Sequence, residues 1–334
     1  MRKIRIAQIG TSEYGHGDVV FQTLAENSDL FEIVGYALPE NEREKFPQNM
    51  PRFEGYREMT VEQILSDPSI EAVTVETEEI YLTKYALMAA KAGKHVHMEK
   101  PGGLSLPLFE ELVATARENG TVFHVGYMYR YNPIIRDTLA RIRAGEFGEI
   151  ISVEAQMSGY RSDADMTKWL NTFPGGMMFY LGCHLVDLVY TIQGAPLRVL
   201  PFNKPSGIHD ATAKDNCLAL FEYENGVSFV KSAQTERGGY ARRQLVITGT
   251  KGCIEIKPLE VNVAYPVLRT DYTECFSDKF TILPEHCEGT PYHRYKDMMR
   301  AFAAMVATEM QNPYTYDHEL NVFKLLLRAC GQEA

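Results

Sequence analysis

Tryptophan occurs once in this chain, at Trp169, and no apolar run approaches the roughly 18 residues needed to cross a bilayer. The opening residues Met1-Arg2-Lys3 lead straight into strand-like sequence, without the apolar stretch and small-residue cleavage site of a secretory signal. The six cysteines (Cys183, Cys217, Cys253, Cys275, Cys287 and Cys330) are scattered, with no C-x-x-C pair and no metal-ligand spacing. No metal is therefore expected, and a reduced, cytoplasmic compartment is the simplest home. Basic charge is scarce as well. With 34 Lys and Arg against 44 Asp and Glu, the net charge of -10 argues against DNA or an anionic membrane as partner.

What is present is ordinary globular sequence, 45% hydrophobic and 23% charged, in 334 residues that suffice for two domains. Strands are expected over residues 3–9, 30–38, 71–75, 95–98 and 122–126. Between them the spacing predicts helices over 18–26, 61–65, 82–92 and 106–119. This alternation predicts a doubly wound parallel sheet over residues 1–125. From 126 to 334 the pattern changes. An apolar helix over 177–192 is followed by period-two strands, a hairpin turn at Glu224-Asn225-Gly226, and helices over 292–311 and 317–329. The expected fold class is thus α/β, a Rossmann-like half followed by an α/β domain with a large, mostly antiparallel open sheet. There is no internal repeat.

The stretch 91–101, Lys-Ala-Gly-Lys-His-Val-His-Met-Glu-Lys-Pro, is the organising one. It reads as a helix end, a short buried strand, and a turn that brings Lys100 out at the strand's carboxyl end, where open parallel sheets bind ligands. Lys100 there is either a group that holds or deprotonates a substrate hydroxyl, or a solvated loop lysine. Oxidation of a secondary alcohol needs a nicotinamide within hydride reach and a base for the hydroxyl proton. Lys100 and His184 are the candidates. Histidine is tuned near neutral pH, and His184 shares a helix face with Asp187 at i+3. The alternative is a core histidine bonded to Asp187. The loop 159–173 offers Tyr160, Arg161, Lys168 and Trp169, whose aromatic faces and bidentate donors suit sugar-like or carboxylated ligands, unless they only pack a surface loop.

Glu99-Lys100-Pro101, the run Val125-Gly126-Tyr127-Met128-Tyr129-Arg130-Tyr131-Asn132-Pro133, and Gly175-Gly176 leading to Gly182-Cys183-His184-Leu185-Val186-Asp187 occur in this order. Together with the nucleotide-binding half they resemble the Gfo/Idh/MocA oxidoreductases. The resemblance implies a Rossmann domain, NAD or NADP as cofactor, a sugar or polyol substrate, and a homodimer or homotetramer formed through the C-terminal sheet. It also implies cofactor contacts at Gly10, Ser12, Gly15, Leu38, Thr77, Glu99 and Lys100. Catalytic roles fall to Lys100, His184 and Tyr180, and substrate contacts to Tyr127, Tyr160, Arg161, Trp169 and Asp187.

Four departures from the family pattern bear on the cofactor and the chemistry. Serine replaces the second glycine in Gly10-x-Ser12-x-x-Gly15, adding a Cβ and hydroxyl where the backbone approaches the pyrophosphate. Leu38 stands where an acid would bind the adenosine ribose, leaving Glu40 or Glu42 to substitute, or Arg43 to favour a 2′-phosphate. Glu76-Thr77-Glu78-Glu79 brings carboxylates to a cleft that receives phosphates. Tyr180 takes the place of an aspartate, either as hydrogen-bond donor or acid–base group, or as core packing. The expected function is an NAD(P)-dependent oxidoreductase acting on a secondary alcohol of a sugar, cyclitol or related compound. A redox-assisted lyase or glycosidase shares the fold. The competing class is a non-catalytic binding or scaffold protein that has lost the cofactor.

Overall fold

The structure, a computed structural model, describes residues 2–160, 164–279 and 281–333. The chain forms two compact units, Met1–Met128 with Tyr295–Phe323 and Tyr129–Arg294 with Lys324–Ala334. The boundary near residue 126 expected from the sequence thus falls at Met128, and Tyr295–Phe323 returns to the first unit.

In the first unit, β1 (Ile4–Ile9), β2 (Phe31–Ala37), β3 (Ala72–Val75), β4 (His95–Met98) and β5 (Phe123–Val125) form a parallel sheet in the order β2-β1-β3-β4-β5. A parallel bridge from Tyr36 to Glu58 adds a vestigial strand outside β2. The chain therefore steps outward from β1, crosses back, and continues from β3 in the other direction. Such a reversal opens a crevice at the carboxyl ends of the two central strands. The strands are apolar because both faces are covered: all four residues of β3 are buried.

Helices α1 (Gly17–Glu26), α2 (Glu42–Lys45), α3 (Val61–Ser66), α4 (Leu82–Lys91) and α5 (Leu106–Asn119) connect these strands. Thr60 and Gln63 form a reciprocal capping box on α3. Ser105 caps α5, and Gly120, at φ 62°, ends it. By contrast α1 begins after His16 without any side-chain cap.

The second unit carries α6 (Pro133–Arg143), α7 (Ala164–Leu170), α8 (Met177–Tyr180) and α9 (Gly182–Gln193). Its large sheet contains β6 (Ile150–Gln156), β7 (Arg198–Pro201), β8 (Asn216–Tyr223), β9 (Gly226–Ala233), β10 (Gln244–Gly249) and β11 (Cys253–Ile256). A three-stranded ribbon is built from β12 (Val261–Ala264), β13 (Val267–Arg269) and β16 (Tyr292–His293). With β14 (Asp271–Cys275) and β15 (Glu285–Glu288), the large sheet runs β15-β14-β11-β10-β6-β9-β8-β7, antiparallel except for the β6–β9 pair. Cys217, Ala219 and Phe221 of β8, with Val230 of β9, turn inward on the face covered by α8 and α9. The expected hairpin joins β8 to β9, and its Gly226 is required by packing: a Cβ there would lie 1.9 Å from the Ile151 carbonyl oxygen.

The helix expected over 177–192 is in fact two, broken at Leu181. There the backbone tightens, His184 N–H reaching the Leu181 carbonyl at 3.2 Å. The helix expected to begin at residue 292 starts instead at Lys296, as α10 (Lys296–Val306), because Tyr292–His293 pairs with β13. The last helix, α11, spans Tyr316–Ala329. No helix among the described residues is long and apolar enough to cross a membrane.

Candidate active site

The glycine loop after β1 is held from beneath by Gln8. This residue is polar in an otherwise apolar strand, and it is fully buried. Its Nε2 donates to the carbonyls of Gly10 (3.0 Å) and Gly17 (2.9 Å), tying the loop to the first residue of α1, while Oε1 accepts from Thr74 Oγ1 at 3.2 Å. Gly10 has φ +90°, and a Cβ on it would come within 2.3–2.7 Å of Thr77, so only glycine fits. Ser12 turns its hydroxyl inward to accept from the Gly15 amide at 3.0 Å. Thr11 is fixed by Asn49 Nδ2 on its hydroxyl, at 2.8 Å.

This arrangement fits a dinucleotide's diphosphate. The backbone N–H groups of Ser12 and Glu13 are not taken up by any described hydrogen bond, and the uncapped N-terminus of α1 follows them. Backbone donors and a helix N-terminus are what such an anion needs. The extra Cβ of Ser12 is accommodated because its hydroxyl folds back on the loop.

Beyond β3 and β4 lies a dense group of buried ionisable side chains. Lys100 is 1% exposed and Glu76, Glu79 and Glu99 are 1–3% exposed. Lys100 Nζ lies 3.8 Å from Glu99 Oε1. Burial pushes Glu79 up to about 7, against the downward pull of the Lys100 ammonium. Glu76 is driven well above the ordinary carboxylate range by burial and by the nearby Glu99 and Asp18. Both Glu76 oxygens lack a hydrogen-bond partner, and Oε1 lies 3.6 Å from His97 Nε2. His97 pairs with His124 through their Nδ1 atoms at 2.8 Å, and its own burial pushes it down to about 3, so that it is neutral. A row of buried polar side chains, Gln8, Thr74, His97 and His124, thus crosses four adjacent strands in register. Thr77 is buried against Gly10, Tyr127 is 2% exposed, and Leu38 packs on the cluster of Phe21, Tyr36 and Phe53.

In the second unit His184 is buried in the first turn of α9, its ring edge-on to Tyr129 with centroids 5.4 Å apart. Asp187, one turn on, accepts from Arg130: Nε is 3.0 Å from each carboxylate oxygen and Nη2 is 2.6 Å from Oδ1. Tyr180 ends α8 with its ring edge-on to Trp169 at 4.5 Å. Tyr160, 40% exposed, accepts from Arg237 at 2.8 Å and lies under that guanidinium. Lys168 is exposed, and Arg161 lies outside the described residues.

Sequence reasoning missed Gln8, the Arg130–Asp187 pair, the two buried histidines and the burial of Glu76 and Glu79. For Gln8 a signal existed, a lone polar residue inside the apolar run Ile4–Ile9. For Arg130 there was none, since its partner is 57 positions away.

Residues 4–127 match the description of an oxidoreductase family with an NAD-binding Rossmann fold, and residues 135–255 match the C-terminal domain of the same Gfo/Idh/MocA family. The chain belongs to the Gfo/Idh/MocA family. Among relatives, scyllo-inositol 2-dehydrogenase (NAD(+)) of Bacillus subtilis (strain 168) is 30% identical over 209 residues, 59% of this chain and 58% of that protein. Mouse (Mus musculus) trans-1,2-dihydrobenzene-1,2-diol dehydrogenase is 27% identical over 66% of this chain and 64% of its own length. The matched stretch thus spans less than two thirds of either relative. Among solved structures, a 3-ketoreductase from Actinomadura kijaniata in complex with NADP and TDP-benzene superimposes with TM-score 0.79 at 19% identity, covering 97% of this chain and 96% of that one. That likeness concerns the fold. The Gfo/Idh/MocA resemblance read from the ordered motifs is therefore borne out, as is the pairing of a parallel Rossmann sheet with a large, mostly antiparallel one.

Proposed function

We propose that the chain transfers a hydride between NAD(P) and a secondary alcohol of a sugar, cyclitol or related hydroxy compound. The observation that carries this reading is Lys100. It stands buried beside Glu99 and Glu79 at the carboxyl end of β4, the end at which an open parallel sheet receives its ligand. Polyol and sugar-derivative chemistry in the names of the relatives agrees with it.

Bound NAD(P) would supply the hydride acceptor, held at the loop Gly10–Gly15. As the ammonium, Lys100 positions the substrate hydroxyl by donating a hydrogen bond that strengthens as negative charge builds on the oxygen; as the neutral amine it would instead accept the hydroxyl proton. Glu99 keeps the Lys100 side chain oriented, and the buried Glu79 adds a second carboxyl within electrostatic reach of it. His184, in the second unit, is the residue to which the family resemblance gives the proton relay. Tyr180 and Trp169 form an aromatic wall for a ring-shaped substrate. Assembly as a homodimer or homotetramer through the large sheet, and a cytoplasmic location, belong to the same proposal.

Replacing Lys100 by Met tests it. Loss of turnover by about two orders of magnitude or more, with melting behaviour retained, is the expected result. Undiminished turnover on a substrate that the wild type oxidises would remove Lys100 from the chemistry. One observation favours a second reading, a cofactor-free binding protein. Glu76, whose Cβ packs close to Gly17 at the start of α1, is a buried acid near the place a diphosphate would take. Enhanced NADH fluorescence at micromolar concentrations would exclude that reading.

A further inference from the structure

We propose that Glu42 receives the adenosine ribose of the dinucleotide, in place of the residue at the end of β2, and makes the chain select NAD over NADP. The inference rests on the dehydrogenase reading above and deepens it.

In a doubly wound sheet the ribose hydroxyls are met by an acid at the carboxyl end of the second strand. Leu38 occupies that place and is turned onto Phe21, Tyr36 and Phe53, where it has nothing to offer a hydroxyl. The chain then makes a sharp reversal through Glu40 and Asn41, both left-handed at φ 59° and 60°. Non-glycine residues seldom adopt that conformation. Its consequence is that α2 starts with Glu42 directed back at the glycine loop. Glu42 Oε2 accepts from the backbone N–H of Thr11 at 3.1 Å, one residue past Gly10.

The Glu42 side chain is fully buried, and its other oxygen, Oε1, has no hydrogen-bond partner. Its carboxyl is pushed up to about 9 by burial, opposed by the amide of Thr11, and the charge of Glu78 adds to the rise. It therefore sits between the loops that follow β1 and β3. An enclosed polar atom without a partner is costly, and a hydroxyl pair is the kind of group that relieves it. A carboxyl anchored through one oxygen and unsatisfied at the other suits a vicinal diol.

A 2′-phosphate fits poorly at the same point. Discriminating it takes an uncommitted cation, above all a bidentate arginine. Three neighbouring cations are each matched by a carboxylate. Arg43 pairs with Glu58 and donates to the Tyr36 hydroxyl at 3.2 Å; Lys45 lies 2.7 Å from Glu78, and Lys84 lies 2.6 Å from Glu40. Detaching any of them for a phosphate leaves its carboxylate behind, facing the new negative charge.

The test is fluorescence titration of NADH and NADPH into the wild type, Glu42→Ala and Glu42→Gln, each checked for an unchanged melting profile. The wild type should bind NADH at least about tenfold more tightly than NADPH, and Glu42→Ala should lose about that factor for NADH alone, the scale of one buried hydrogen bond. Glu42→Gln should fall between the two. A measurement on the wild type alone covers the case of poorly folding variants: ADP-ribose should displace NADH, and its 2′-phosphorylated form should not. Equal affinity for the two cofactors, or NADH binding undiminished or tightened in Glu42→Ala, overturns the role of Glu42. A wild type that binds neither cofactor overturns the dehydrogenase reading itself.

Discussion

The guanidinium of Arg130 and the carboxylate of Asp187 form an ion pair in which neither side chain is more than 1% exposed. Arg130 lies just before α6, and Asp187 stands on α9 one turn beyond His184. The pair therefore fixes the rotation of the helix that presents the proposed proton relay. Removing one partner strands the other's charge in the interior. Asp187→Ala should cost about 3–5 kcal/mol of stability in urea unfolding, whereas the double replacement Arg130→Met, Asp187→Leu should recover most of it. A single variant as stable as the wild type would show that water reaches this pair.

Gln8 is the second residue whose replacement has a defined consequence. Its amide fixes two carbonyls at once, those of Gly10 and Gly17, and so sets which way the loop's N–H groups point. Gln8→Leu keeps the approximate volume and drops both bonds. The variant should stay folded with a loss of about 1–3 kcal/mol, and bind NADH about tenfold more weakly, since a displaced loop meets the diphosphate poorly. Calorimetric unfolding and NADH titration read the two effects separately. A stability loss without any change in NADH affinity would mean that Gln8 supports the sheet and not the loop.

The fold was legible because its signals are local. Alternation of apolar strands with amphipathic helices marks the first sheet, and Thr60, Gly120 and Asn225-Gly226 announce their own caps and turn. Lys100 and His184 were singled out through short motifs in a fixed order, and both side chains are buried. What remained hidden depends on pairing at a distance. The break at Leu181 comes from a tightened turn that leaves no trace in the apolar pattern of residues 177–192. Tyr292–His293 reads as helix until β13 is there to pair with it. The charged run Glu76-Thr77-Glu78-Glu79 looks like solvated loop, yet two of its three acids are buried, because the chain folds them towards Lys100 and His97.

That burial has a sign that can be checked. The carboxyl of Glu76 titrates well above its unfolded value of 4.5, chiefly because burial disfavours the charge. The groups around it add to this. Glu99 and Asp18 raise it further, Lys100 opposes them, and His97, held down at about 3, stays neutral throughout the accessible range. A carboxyl raised on folding contributes stability that is fully present below about pH 4.5 and is lost as pH climbs towards its folded value. Glu76→Gln keeps the shape and never ionises. Its melting temperature should therefore match that of the wild type below pH 4.5 and exceed it by a growing margin as pH rises from there towards the folded value of Glu76. Every step of one in pH across that window removes about 1.4 kcal/mol from the wild type relative to the variant. A margin that shrinks as pH rises would mean that Glu76 is ionised in the folded chain and stabilised there, with Lys100 outweighing its burial.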